Sequence, residues 1–180
     1  MLPVVSVIGL SGSGKTTLIE YLISNLAKEG LKIGAVKHIH RHSFSIDTKG
    51  KDTWKYSRAG ARVVACATPE EVAVIRKMEV THENFDEIVN LVATEGLDLL
   101  ILEGFHSFVA KRRDIFKIIT AKNRADLERT IDGTLGPILA ITGLFAGKKV
   151  ALPGLTIPIL DLGSEGEKIL KLVKHAILKV

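Results

Sequence analysis

The chain has 180 residues, with 25 Lys or Arg against 20 Asp or Glu, a formal charge of +5. That length fits one domain, 1–180, able to bury a sizeable core, and the single cysteine, Cys66, excludes an intramolecular disulfide and a cysteine-rich metal site. No apolar run reaches the ~20 residues of a membrane span, and mild basicity with few aromatics suits an anionic ligand rather than nucleic acid or a membrane.

Residues 4–8 are a short apolar run of buried-strand type. Met1-Leu2-Pro3 leads straight into it, which leaves no room for a signal peptide, and the expected compartment is the cytoplasm. Gly9-Leu10-Ser11-Gly12-Ser13-Gly14-Lys15-Thr16 follows, a full match to G-x-x-x-x-G-K-[ST]. Thr17 then opens a stretch with apolar residues at helical spacing, so the loop has the strand-before, helix-after context that a P-loop needs. Its glycines let backbone N–H groups turn inward as an anion nest, and the positive end of the new helix faces the same point. The expected nucleotide-binding residues are Gly9, Ser11, Gly12, Ser13, Gly14, Lys15, Thr16 and Thr17. Lys15 would meet the β- and γ-phosphates, and the Thr16 hydroxyl would ligate Mg²⁺.

Gly30 is the expected end of this helix, and residues 31–37 read as a second strand, parallel to the first. The segment leaving that strand is dense in cations and imidazoles and holds no acid before Asp47. It leaves on the ligand side of an open α/β sheet, so Lys37, His38, His40, Arg41, Lys49 and Lys51 are expected to line an anion site beside the P-loop. His38, His40 and His42 alternate and would share one face of an extended chain. They could bind a metal; the plainer reading is hydrogen bonding to phosphate or to nearby loops.

Residues 51–59 are expected to be a short helix, capped by Thr48 or Gly50 and stopped by Gly60, with Trp54 and Tyr56 as packing residues. Residues 62–68 and 71–77 read as an antiparallel hairpin on the sheet edge, with Cys66 as a core thiol in an apolar run. Residues 82–95 form an amphipathic helix pattern with Phe85, Ile88, Val89, Val92 and Ala93 on one face. Residues 97–104 are the second strong signal, an apolar strand ending in Glu103. It resembles a Walker B element, where most P-loop enzymes carry Asp. Catalytic candidates are Lys15, Asp47 and Glu103, and the expected Mg²⁺ set is Thr16, Asp47 and Glu103, directly or through water.

Residues 116–120 and 138–142 read as further strands, with 125–131 as a short helix between them. A guanine-reading loop would fall near 121–126, but Lys122 and Asp126 stand four apart rather than two. Residues 143–155 read as an exposed loop and 157–160 as a short strand. Residues 164–180 read as a closing amphipathic helix with a Ser164/Glu167 capping box and Lys179 at its C-terminal end. The expected fold is therefore α/β: a P-loop NTPase with a mostly parallel central sheet flanked by helices and an antiparallel hairpin at one edge.

Taken together, Lys15-Thr16-Thr17-Leu18, Lys37-His38-x-His40, Asp47-x-x-Gly50-Lys51-Asp52, Ala59-Gly60-Ala61 and Leu102-Glu103-Gly104-Phe105 resemble the molybdopterin-guanine dinucleotide biosynthesis protein B (MobB) family. The resemblance spans the P-loop to Phe105; Lys49 stands where that family often has Pro. It implies a homodimeric, GTP-binding protein with weak GTPase activity. Such a protein assists the nucleotidyltransferase that attaches GMP to molybdopterin, and the pterin itself is a possible ligand. GTP over ATP rests on the resemblance. The competing reading is a small-molecule kinase, with Asp47 as base and Arg41, Arg58, Arg112 or Arg113 closing over phosphate; a vestigial site would not keep Lys15, Thr16 and Glu103.

Overall fold

The computed structural model describes residues 2–40, 44–148 and 155–178; the expectations for Arg41, His42 and Lys179 lie outside them. In chain order the elements are β1 (Val4–Ile8), α1 (Lys15–Lys28), β2 (Ile33–Lys37), α2 (Asp52–Arg58), β3 (Val63–Ala67), β4 (Val72–Arg76) and α3 (Phe85–Ala93). They continue with β5 (Leu99–Glu103), α4 (His106–Val109), β6 (Phe116–Thr120), α5 (Arg124–Ile131), β7 (Ile138–Thr142) and α6 (Leu162–Ile177). Two compact units result, Met1–His38 with Phe85–Val180, and Ile39–Asn84.

In the first unit five strands pair in the order β2-β5-β1-β6-β7, all parallel. Parallel strands are covered on both faces, so their sequences run continuously apolar instead of alternating. Val5, Val7, Leu99, Ile101 and Ile118 pack with α1 and α6 through Leu18, Leu22, Ile169 and Val173. Val4, Ile8, Leu100, Leu102, Ile119 and Ile141 point the other way, to Phe85, Phe105, Val109 and Leu127. The strand after α1 does not pair with β1, because β5 lies between them, in register Val7↔Glu103 and Lys37↔Glu103. This order carries the tips of β1, β2 and β5 to one end of the sheet.

The second unit holds α2 and the antiparallel pair β3–β4, in register from Val63↔Arg76 to Ala67↔Val72. The hairpin is a sheet of its own and does not extend the five-stranded one. Each strand satisfies one edge on its partner, and among the described residues no third strand joins. Cys66 is correspondingly exposed, not a core thiol: of β3, Val64 alone is buried.

Local signals shift some boundaries. Lys51, not Thr48 or Gly50, is the N-cap of α2, without a side-chain cap bond. Trp54 is half-buried under the Arg58 guanidinium, 5.9 Å from its ring centroid, while Tyr56 is exposed. The closing helix starts at Leu162, and Asp161 rather than Ser164 is its N-cap, accepting from Ser164 N at 3.0 Å. Residues 157–160 contribute a single bridge, Ile141↔Ile159, in place of a strand. In the stretch expected as an exposed loop, Phe145 and Ala146 are buried, and 149–154 lie outside the described residues.

Candidate functional site

Residues 9–14 turn the chain from the buried end of β1 into α1. Gly12 (φ +72°) and Gly14 (φ +96°) take left-handed conformations there. Gly14 is the N-cap of α1, and among the described residues no side chain caps that first turn. The first N–H groups of a helix need acceptors, so an uncapped N-terminus facing a cavity is set up for an anion.

The loop is held from behind by the ends of β6 and β7. The Ser13 and Thr120 hydroxyls are 2.6 Å apart; Thr120 donates to Ile8 O at 3.3 Å, which leaves Ser13 to donate to Thr120. Gly143 (φ +92°) follows β7, where a Cβ would lie 2.4 Å from Ser13 O and 2.8 Å from Ala121 O. No other residue fits that position without displacing the loop. The sequence reading missed both residues, although a polar end to an apolar strand and a glycine just past one signal close backbone approach.

In front of the loop lies a cavity of about 390 Å³ lined by Ser11, Gly12, Gly14, Lys15, Thr16, Thr17, Lys37 and Glu103. Lys15 Nζ donates to Gly9 O at 3.0 Å and Leu10 O at 2.9 Å. Burial holds its ammonium below the ordinary lysine range; Lys37 and Lys122 push the same way, and Glu103 opposes. Thr16 Oγ1 donates to the Glu103 carboxylate at 3.3 Å, and Lys37 Nζ pairs with the same Oε1 at 3.1 Å. Glu103 is largely covered, its side chain 14% exposed, while Lys37 is 56% exposed. A hydroxyl and a carboxylate side by side are hard oxygen donors, a set that fits Mg²⁺ completed by phosphate and water oxygens. Among the described residues no group of three or more His, Cys, Asp or Glu could hold a metal.

The structure thus gathers the P-loop, Lys37 and Glu103 about one cavity. His38 sits at the tip of β2, its ring stacked on Phe105. His40, Asp47, Lys49 and Lys51 belong to the second unit. There Asp47 Oδ1 accepts from Thr53 Oγ1 at 2.9 Å, while its Oδ2 is buried without a partner among the described residues. His40, Lys49 and Lys51 are exposed. Of the arginines considered for closing over phosphate, Arg112 is bound to Asp114 and to Asp86 at 2.9 Å. In the loop after β6, Asn123 caps α5 by accepting from Asp126 N at 2.9 Å, and Lys122 lies 3.6 Å from the largely buried Asp126 carboxylate. No helix among the described residues is long and apolar enough to cross a membrane.

Comparison with known proteins gives a consistent answer. The profile of the family described as molybdopterin guanine dinucleotide synthesis protein B matches residues 4–134. The molybdopterin-guanine dinucleotide biosynthesis adapter protein of Escherichia coli (strain K12) is 32% identical over 126 residues, 69% of this chain and 69% of that protein. That of Haemophilus influenzae is 33% identical over 110 residues, 58% and 57% of the two chains, so the match spans little more than half of that relative. The crystal structure of Bacillus subtilis MobB superposes with a TM-score of 0.75 at 26% identity, over 97% of this chain and 98% of that one.

Proposed function

The chain belongs to the molybdopterin guanine dinucleotide synthesis protein B family, and from that premise we propose that it is a nucleotide-dependent adapter. It binds GTP with Mg²⁺ at the P-loop, hydrolyses it slowly, and serves the nucleotidyltransferase that joins GMP to molybdopterin. One observation carries the nucleotide reading: the uncapped N-terminus of α1 opens, with Lys15, onto the cavity where Thr16 meets Glu103. Two lysines, Lys15 and Lys37, line that cavity against a single carboxylate among its described lining residues, Glu103. That excess of positive charge calls for a polyanion.

The chain's own residues divide the work. Backbone N–H groups of residues 12–16 take phosphate oxygens. Lys15 exchanges the carbonyls of Gly9 and Leu10 for a phosphate, a charge-assisted bond stronger than those it leaves. Thr16 and Glu103 would hold Mg²⁺, which when bound neutralises phosphate charge. Lys37, paired with Glu103, flanks the same end of the cavity and extends the positive surface toward a second anion such as the pterin phosphate. Slow turnover fits a cavity whose one carboxylate among the described lining residues, Glu103, is already engaged by Thr16 and Lys37 and so is not itself free to act as a base toward water.

Calorimetric titration with GTP, ATP and GDP, with and without Mg²⁺, tests this. The parent is expected to bind GTP more tightly with Mg²⁺, and Lys15→Ala to lose about 1.5–3 kcal/mol of binding. Glu103→Gln is expected to lower turnover more than affinity. A parent that binds no GTP, or a Lys15→Ala variant of parental affinity, overturns the nucleotide role. Co-purification with the nucleotidyltransferase, strengthened by GTP, tests the adapter role; its absence in every nucleotide state overturns that part alone.

A further inference from the structure

His38 entered as a candidate anion ligand, but its surroundings describe a different task. It is the first residue past β2, and its N–H donates to Glu103 O at 2.8 Å. Its ring lies flat on Phe105, with centroids 4.9 Å apart and planes at 22°, and meets Phe108 edge-on at 5.3 Å. Nδ1 is 3.4 Å from Gly104 O. His38 therefore touches Glu103, Gly104 and Phe105 in succession.

Those three residues are the turn that leaves β5, and the turn sets where the Glu103 carboxylate points. Gly104 adopts φ +82°, where a Cβ would come within 3.2 Å of His38 O. Phe105 is 2% exposed and rests against Phe85, with centroids 5.5 Å apart. One side of the turn is thus anchored in the core, and His38 closes the other. A carboxylate that ligates Mg²⁺ needs its own supporting contacts to stay oriented. Glu103 has Thr16 and Lys37 at its oxygens and His38 around its backbone.

We propose that His38 is a positioning residue for Glu103: its ring, stacked on Phe105, fixes the turn that aims the carboxylate at Thr16. The assignment rests on the reading of the cavity as a magnesium–nucleotide site. It makes the histidine of the Lys37-His38 pair a support and leaves Lys37 as the group that faces the anion. Phe85 follows directly on the second unit in the chain, and His38 directly precedes it.

The test is GTP affinity, measured by titration in saturating Mg²⁺ and in EDTA, for the parent and for His38→Ala, His38→Phe, Glu103→Gln and the His38→Ala/Glu103→Gln double variant. His38→Ala is expected to lower affinity in Mg²⁺ about tenfold, the scale on which supporting contacts tune a metal ligand. In EDTA its affinity stays within about twofold of the parent, the range in which independent sites leave each other alone, and this arm also reports that the variant is folded. His38→Phe keeps the stack and recovers most of the loss. In the Glu103→Gln background His38→Ala has no further effect, because it acts through the carboxylate. An equal loss in Mg²⁺ and EDTA marks a direct anion contact or a general loss of structure, and overturns the proposal. So does an additive effect with Glu103→Gln, or a His38→Phe variant as weak as His38→Ala. A parent that fails to bind GTP in either medium removes the nucleotide reading itself, a different failure from binding that ignores His38.

Discussion

A lysine inside a sheet must find acceptors or give up its proton, and Lys117 on β6 does some of both. It has no exposed surface, and its Nζ donates to the carbonyls of Arg112 and Ile115, the latter at 3.0 Å. Burial chiefly lowers its pKa from 10.5 to about 8, with Asp114 opposing and Arg112 adding. Below about 8 both folded and unfolded chains hold the proton, and the full penalty of burying a cation is present. Between about 8 and 10.5 the folded chain releases the proton while the unfolded chain keeps it, so this group's contribution to stability rises with pH. Urea unfolding at about pH 7.5 and about pH 9.5 is therefore expected to favour the parent over Lys117→Met increasingly as pH rises. Equal changes in the two proteins would show that Lys117 does not titrate in that window. Neither the burial nor the shift is legible in Phe116-Lys117-Ile118, where a lysine reads as the exposed side of a strand. Its fate depends on carbonyls supplied by the preceding loop. His106 is a similar case. The Thr134 hydroxyl already donates to Thr130 O at 2.6 Å, so it accepts from His106 Nε2 at 2.9 Å, and burial lowers that imidazole's pKa.

Among the elements, the strands and long helices follow from their periodicity, and what the sequence misplaces is mostly their ends. The start of α6 shows why. Ser164 and Glu167 satisfy the capping-box pattern, but Asp161 accepts from both Ser164 N at 3.0 Å and Ser164 Oγ at 2.9 Å, and Glu165 Oε2 accepts from Asp161 N at 3.2 Å. The reciprocal bonds form one turn earlier, around a residue that also follows the bridge to β7 through Ile159. Asp161→Ala is expected to destabilise the protein by about 1 kcal/mol, the usual worth of an N-cap. Ser164→Ala, which removes only a donor to that cap, is expected to do less; thermal unfolding in which Ser164→Ala is the more damaging would reverse the assignment. The short α4, His106–Val109, carries no signal of its own, because four residues cannot display a helical period. It exists because Phe105 and Val109 are drawn into the core beside β1 and β5.

On the scale of the whole molecule, the second unit leaves apolar surface uncovered. In the hairpin register Val63, Ala65 and Ala67 stand opposite Arg76, Val74 and Val72, so all six share one face. Val63, Val72 and Val74 on that face are 54%, 68% and 63% exposed. Both outer edges of the pair are also unpaired among the described residues. An isolated two-stranded sheet is marginal in water, and exposed strand edges call for cover. A homodimer, which the family resemblance implies, would supply it by pairing two hairpins about a two-fold axis. Light scattering at tens of micromolar, roughly the range where weak association registers, is expected to give a dimer for the parent. A Val72→Lys/Val74→Lys variant is expected to be a monomer with GTP affinity unchanged. A monomeric parent, or a variant that remains a dimer, would exclude this face.

The sequence by itself determined the P-loop, the parallel α/β class and the carboxylate-ended strand, because each is written in neighbouring residues. The loop needs glycines and Lys15-Thr16 at fixed spacing, and strands buried on both faces need unbroken apolar runs. The tertiary structure alone decided what those pieces meet. It inserted β5 between β1 and β2, which brings Glu103 to Thr16 and Lys37 from positions far apart in the chain. It set Ser13 on Thr120 and closed Gly143 against the loop. It turned His38 onto Phe105, left Cys66 in solvent and buried Lys117. Periodicity and motif spacing act over a few residues, whereas strand order and side-chain burial depend on contacts between segments, which no local pattern encodes.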